Sequence, residues 1–112
     1  MEGVSPALCP RYHRAVEIIG RRWTGAVLSL MLSGATRYSE LRKAIPDMSD
    51  KMLSERLKEL EAEGLLTRTV IPDTPVRVEY HLTEMGQALR EVVGSIQDWS
   101  RRWLPDPDTA AT

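Results

Sequence analysis

From Pro10 to Leu60 apolar residues return every three or four positions, and from Leu65 to Leu82 they return every second position. The first period belongs to helices and the second to strands with one buried face. Tyr12, Ala15, Val16 and Ile19 mark a first helix over residues 10–19. Pro10 stands in its first turn, where a missing N–H costs nothing, and Gly20 closes it. Trp23, Val27, Leu30 and Met31 mark a second helix over 23–32, stopped by Ser33-Gly34. Tyr38, Leu41 and Ile45 mark a short third helix over 38–44, which Pro46 prevents from continuing. Ser49 is the expected N-cap of a fourth helix over 50–63. Asp50 suits its positive end, Leu53, Leu57 and Leu60 form its buried stripe, and Gly64 ends it.

Val76, Val78, Tyr80 and Leu82 then alternate with Arg77, Glu79 and His81. This predicts a strand over 76–82 paired antiparallel with 66–71 around a tip of Pro72, Asp73, Thr74 and Pro75. Thr83 is expected to cap a last helix running to 104. Residues 1–8 read as a flexible tail and 105–112 as a disordered one, leaving one domain over 9–104. The order helix, helix, hairpin between Thr36 and Gly86 is that of a winged helix-turn-helix. The fold class is therefore α+β, mainly α, with a two-stranded wing and N- and C-terminal helices available for dimerisation.

In a winged helix-turn-helix the second helix of the pair enters the major groove of DNA, its first residues reaching the base edges. That nominates Ser49, Lys51, Met52 and Ser54, with Arg56 and Lys58 for bases or phosphates. On a helical projection Lys51, Glu55 and Lys58 lie opposite the leucines, and Met52, Ser54 and Arg56 flank them. Arg37, Arg42 and Lys43 on the preceding helix could hold backbone phosphates and fix register. Arg68 and Arg77 on the hairpin could contact phosphate or enter the minor groove. The same face also reads as an ordinary solvated one, because Glu55, Glu59, Glu61 and Glu63 repel phosphate.

Composition changes this picture little. With 112 residues, 42% hydrophobic and 28% charged, the chain fits one soluble domain. No apolar run is long enough for a membrane span, and MEGVSPALCP lacks the basic-then-apolar order of a secretory signal. One cysteine excludes an internal disulfide and fits a cytoplasmic location. The net charge of −1 removes the global attraction to nucleic acid, so only a local basic face can serve.

Met85, Leu89, Val92, Ile96, Trp99 and Trp103 are spaced 4, 3, 4, 3, 4, a seam narrower than the stripe of a core helix. At 1.5 Å per residue that helix is ~30 Å long. A chain of this size has little core left to cover it, and two uncovered tryptophans make a sticky patch. A homodimer is the expected solution, with Tyr12 of the first helix joining the interface. Two copies would also double the phosphate contacts and read an inverted repeat with half-sites ~34 Å apart.

The segments CPRYHRAVEIIGRRW, RYSELRKAIPDMSDKMLSERLKELEAEGLLTR, PVRVEYHLTEMGQAL and the closing W-x3-W resemble the HxlR-type transcriptional regulators, relatives of MarR proteins. The resemblance spans residues 8–104. It implies a dimeric winged-helix DNA binder, with the first and last helices in the interface. It also implies regulation of nearby genes, often for oxidoreductases or detoxification. Tyr38 stands where Phe is commoner, and PVRVEY where two prolines often precede the arginine.

Cys9 precedes Pro10 at the expected start of the first helix, near Arg11, His13 and Arg14. Amide dipoles there favour a thiolate, which would react with electrophiles or oxidants. Some members of the family that the chain resembles sense reactive species through a cysteine at this place. The other reading is a small buried hydrophobe. Trp23, Trp99, Trp103 and Tyr12 could line a pocket for a small aromatic ligand, or be plain core and interface.

No phosphate loop, GxGxxG, HExxH or nucleophile elbow occurs. Cys9 and His13 alone do not complete a zinc site. His81, on the wet face of a strand, has no evident acid–base partner. No enzyme, cofactor or metal is expected. The expected function is a dimeric DNA-binding repressor released by a reactive species or small ligand. The alternative is a winged-helix protein-interaction module.

Overall fold

The computed structural model describes residues 9–107. The expected tail over 1–8, and residues 108–112 of the expected C-terminal tail, lie outside the described residues. The chain runs α1 (Pro10–Gly20), α2 (Thr24–Leu32), α3 (Tyr38–Ala44), α4 (Asp50–Ala62), β1 (Leu66–Ile71), β2 (Arg77–Leu82), α5 (Glu84–Gln87) and α6 (Arg90–Trp103). It is a mainly helical α+β fold with a two-stranded antiparallel wing, in register from Leu66 opposite Leu82 to Ile71 opposite Arg77.

The core is built where the helical stripes converge on the root of the wing. Val27, Leu28 and Met31 of α2, Leu41 of α3 and Leu53, Leu57 and Leu60 of α4 pack with Ile45, Met48, Leu65 and Leu66. Each fully buried leucine contributes roughly 1.5–3 kcal/mol relative to exposure, so this cluster dominates the stability of the chain. Ser49 caps α4 by accepting from the Met52 amide at 3.1 Å. At the other end Gly64 takes φ 83°, the left-handed conformation that lets the chain leave the helix without a Cβ clash. The Tyr80 amide donates to the Thr36 carbonyl at 2.7 Å, fastening the wing to the linker between α2 and α3.

Four local expectations are corrected. α2 begins at Thr24, because Trp23 itself is its N-cap and takes φ 74°. β2 begins at Arg77, with Val76 exposed in the tip rather than on the buried face. Gly20 lies inside α1 rather than after it. The single C-terminal helix is two. Gly86 sits so close to β1 that a Cβ there would lie 2.2 Å from the Leu65 carbonyl oxygen, which pins α5 to the wing root. The chain then tightens through an i→i−3 bond from the Leu89 amide to the Gly86 carbonyl, 3.1 Å, and redirects into α6. α6 rests on α2 through buried Val93 and a 3.0 Å bond from Gln97 Nε2 to Ser29 Oγ.

Candidate nucleic-acid interface

α3 and α4 are locked at their junction by three side chains. Arg42 Nε donates to Asp50 Oδ1 at 2.8 Å, and the Tyr38 hydroxyl donates to the same oxygen at 3.0 Å. Asp50 is thereby held below the ordinary carboxylate range, first by the Tyr38 bond and then by the Arg42 bond. The Tyr38 phenol is pushed up, mainly by burial. At the opposite end of α3, Glu40 Oε1 accepts from the Arg37 amide at 3.0 Å and from the Thr36 amide at 3.2 Å, capping the start of the helix. The helix pair is thus fixed by local polar bonds over a leucine core.

That arrangement leaves Arg37, Lys43, Ser49, Lys51, Lys58 and Arg68 exposed, as a reading surface requires. Met52 and Ser54 are half-buried, Met52 against the core, so they reach outward less than their position on the helix suggested. Arg42 is half-exposed and engaged by Asp50, and its Nη1 also lies 3.4 Å from the Ile45 and Pro46 carbonyls. Arg56 is the clear correction. It is only 7% exposed, with Nε bonded to the Arg22 carbonyl at 3.0 Å and Nη1 to Glu59 at 3.1 Å. Its guanidinium faces its own chain, not a duplex.

In the wing, Arg77 and Arg37 line one hollow with Asp73, bringing the start of α3 beside the hairpin. Arg77 is not a free cation. Nη2 lies 3.4 Å from Asp73, and Nε lies 3.2 Å from Glu79 off the hydrogen-bonding line, so that contact is charge without a bond. Glu79 also meets His81 Nε2 at 2.9 Å, so His81, for which no partner was expected, has a carboxylate two residues away on the same strand face. That bond, ahead of the nearby arginines, holds Glu79 below the ordinary range.

The opposite side is apolar. α1 buries no residue, and Tyr12 and Val16 are exposed. On α6, Val92, Ile96, Trp99 and Trp103 are 41%, 51%, 57% and 64% exposed. Leu89 instead packs on its own core, and Met85 on α5 is exposed. Of the expected seam, Leu89 is therefore the residue taken up by the chain's own core. Cys9 is half-buried at the N-cap position of α1, with Pro10 following. Trp23 packs against the core with its indole N–H buried and unpartnered, and the Arg22 guanidinium lies 5.2 Å from its ring. Ala15, Ile18, Ile19, Leu65, Met85 and Leu89 form a hollow of about 110 Å³, and none of Trp23, Trp99 and Trp103 lines it.

Among the described residues no group of three His, Cys, Asp or Glu is placed to hold a metal, and no helix is long and apolar enough to cross a membrane. The profile of the HxlR-like helix-turn-helix family matches residues 18–108. The chain belongs to that family. It is a winged-helix transcriptional regulator. It is 48% identical over 100 residues to the HTH-type transcriptional regulator YvaP of Bacillus subtilis, spanning 89% of this chain and 92% of that one. It is 41% identical over 102 residues to YodB of the same organism, spanning 91% of each. The reduced form of YodB superposes with a TM-score of 0.78 at 42% identity, covering 86% of this chain and 94% of that one. YodB has also been solved diamide-treated and quinone-bound. The oxidised redox regulator HypR gives a TM-score of 0.80 at 34% identity, over 88% of this chain and all of that one.

Proposed function

We propose that this regulator binds double-stranded DNA as a homodimer, reads an inverted repeat through α4, and lets go when a reactive species modifies Cys9. One observation carries the DNA reading. α4 is anchored to its own core by Leu53, Leu57 and Leu60, while its capped start and outer face keep Ser49, Lys51 and Lys58 exposed. A helix presented in this way can enter a major groove. Lys43, Arg37 and Arg68 then supply phosphate contacts from the flanking elements, and Arg77 joins them by exchanging Asp73 and Glu79 for phosphate. Arg56 is not part of this set.

The dimer reading is supported by α1 and α6, whose Tyr12, Val16, Val92, Ile96, Trp99 and Trp103 are left exposed by the other described residues. Burying such aromatics against a second copy supplies the type of anchor that dominates interfaces. Repression follows from steric competition with polymerase at the operator. The Cys9 reading is supported by its place at the start of α1, one arm of the proposed interface, and by the similarity to YodB. Addition of the thiol to a quinone would give a thioether too bulky for a half-buried position and would shift α1.

Gel shifts on the DNA upstream of the chain's own gene, at 50 and at 200 mM salt, test the first part. About 10³-fold or greater weakening between the two is expected for a dimer with several phosphate contacts. Salt-independent binding, or none, would mean a protein-interaction module instead. A Cys9→Ser protein that leaves DNA under quinone or diamide as readily as wild type would remove Cys9 from the mechanism.

A further inference from the structure

α1 buries none of its residues, yet it reaches α4 through charge. Arg14 Nη2 is ion-paired to Glu63 Oε1. Arg21 Nη2 lies 3.2 Å from Glu59 Oε1, and the same carboxylate takes Arg56 Nη1 at 3.1 Å. Arg56 Nε donates to the Arg22 carbonyl at 3.0 Å. Arg14, Arg21, Glu59 and Glu63 line a cleft of about 220 Å³ between α1 and the C-terminal half of α4. They close on the turn where Trp23 is held at φ 74°. A bulky residue keeps that conformation only when its surroundings over-determine it. The buried Arg56 guanidinium does so, because a fork can grip a carbonyl and a carboxylate at once, as an ammonium cannot.

We infer that Arg56 and Glu59 are positioning residues for DNA reading, setting the angle of α4 against α1 so that the dimer holds its two reading helices at one fixed separation. This rests on the dimeric DNA-binding reading above. An exposed pair such as Arg14–Glu63 adds little stability by itself. Its effect is geometric, adding direction to a helix that meets the core through the half-buried Ile18. Glu59 and Glu63 at the C-terminal end of α4, which looked like a solvated face, are thereby paired by α1 and the turn after it. Without Arg56 and Glu59 the fold would stand on its leucines while the span between reading helices widened into a distribution.

The test measures affinity for a series of inverted repeats whose spacer differs by one base pair at a time. Wild type, Glu59→Gln, Arg56→Lys, Arg14→Glu and the charge-swapped pair Arg14→Glu with Glu63→Arg are compared. Wild type should show one sharp optimum. Glu59→Gln and Arg56→Lys should keep their binding to a single half-site but lose about fivefold in preference for the best spacer over its neighbours, the low end of site-to-site coupling. The charge-swapped pair should restore what Arg14→Glu alone loses. A purely structural role would lower affinity equally on every spacer, and that result would overturn the inference. So would an unchanged sharp optimum in Glu59→Gln, with the DNA-binding reading left intact. Wild type that binds no spacer would overturn both.

Discussion

α4 and α6 are the two longest helices among the described residues, and their apolar sides meet opposite fates. In α4, Leu53, Leu57 and Leu60 are sealed in the core. In α6 only Val93 is sealed, and Val92, Ile96, Trp99 and Trp103 stand in the open. The periodicity is nearly the same in both. What differs is the chemistry of the apolar residues and what remains to cover them. Leucines fill a small closed core, whereas tryptophans at the end of a helix extend past anything the chain can fold over them. An apolar stripe therefore announces a partner surface without saying whether it lies in the same molecule.

The comparison can be broken most sharply at α6. Replacing Trp99 and Trp103 together by Glu should leave the subunit folded, with an unchanged far-ultraviolet circular dichroism spectrum. It should convert the dimer to monomer by sedimentation and lower DNA affinity about 100-fold or more, as loss of central aromatic anchors does. A variant that still sediments as a dimer would place the interface elsewhere. The matching change in α4, Leu57→Ala, should act on folding, costing about 2–5 kcal/mol in urea unfolding through the cavity it leaves.

Smaller effects sharpen the description of the outer face of α4. Lys51→Ala should leave thermal stability within about 0.5 kcal/mol. It should weaken DNA binding roughly tenfold and reduce the slope of log affinity against log salt by about one. The smallest effect concerns Asp50. Its carboxyl is held below the ordinary range by Tyr38 and Arg42, so it adds stability above its unfolded-state value. That contribution is lost as pH falls through the lower folded-state value. Asp50→Asn should thus lower the melting temperature slightly at neutral pH, and the difference from wild type should vanish in strong acid. A constant difference at every pH would show that the bonds, not the charge, matter.

Much of the fold could be read from residue order because its boundaries are marked locally. Ser49 before the leucine stripe, Pro46 after α3 and Gly64 after α4 each act within one turn of chain, and the elements they bound lie within a residue of expectation. The misreadings come from contacts distant in sequence. Arg56 flanks the stripe of α4 and looks like any surface cation. Its burial depends on the turn at Arg22, 34 residues away, passing over it. The exception is Arg77, legible as a wing cation, whose carboxylate partners Asp73 and Glu79 are local and were not read. Glu59 and Glu63 read as a solvated face because nothing local reveals that α1 returns to meet them. Gly86 did carry a signal, since a glycine so early in a helix is costly unless something approaches closely.

The contact at Gly86 also bears on how this chain can vary. With the Leu65 carbonyl oxygen only 2.2 Å from where a methyl group would stand, substitution there forces the wing root and α5 apart. Gly20, Gly25 and Gly94 have nothing within 4 Å of the same construction. In a library scanning every residue for retained folding, position 86 should return glycine alone, while the other three accept alanine. The route by which α5 and α6 can drift in sequence is therefore narrowest at its first turn, and it widens toward the tryptophans.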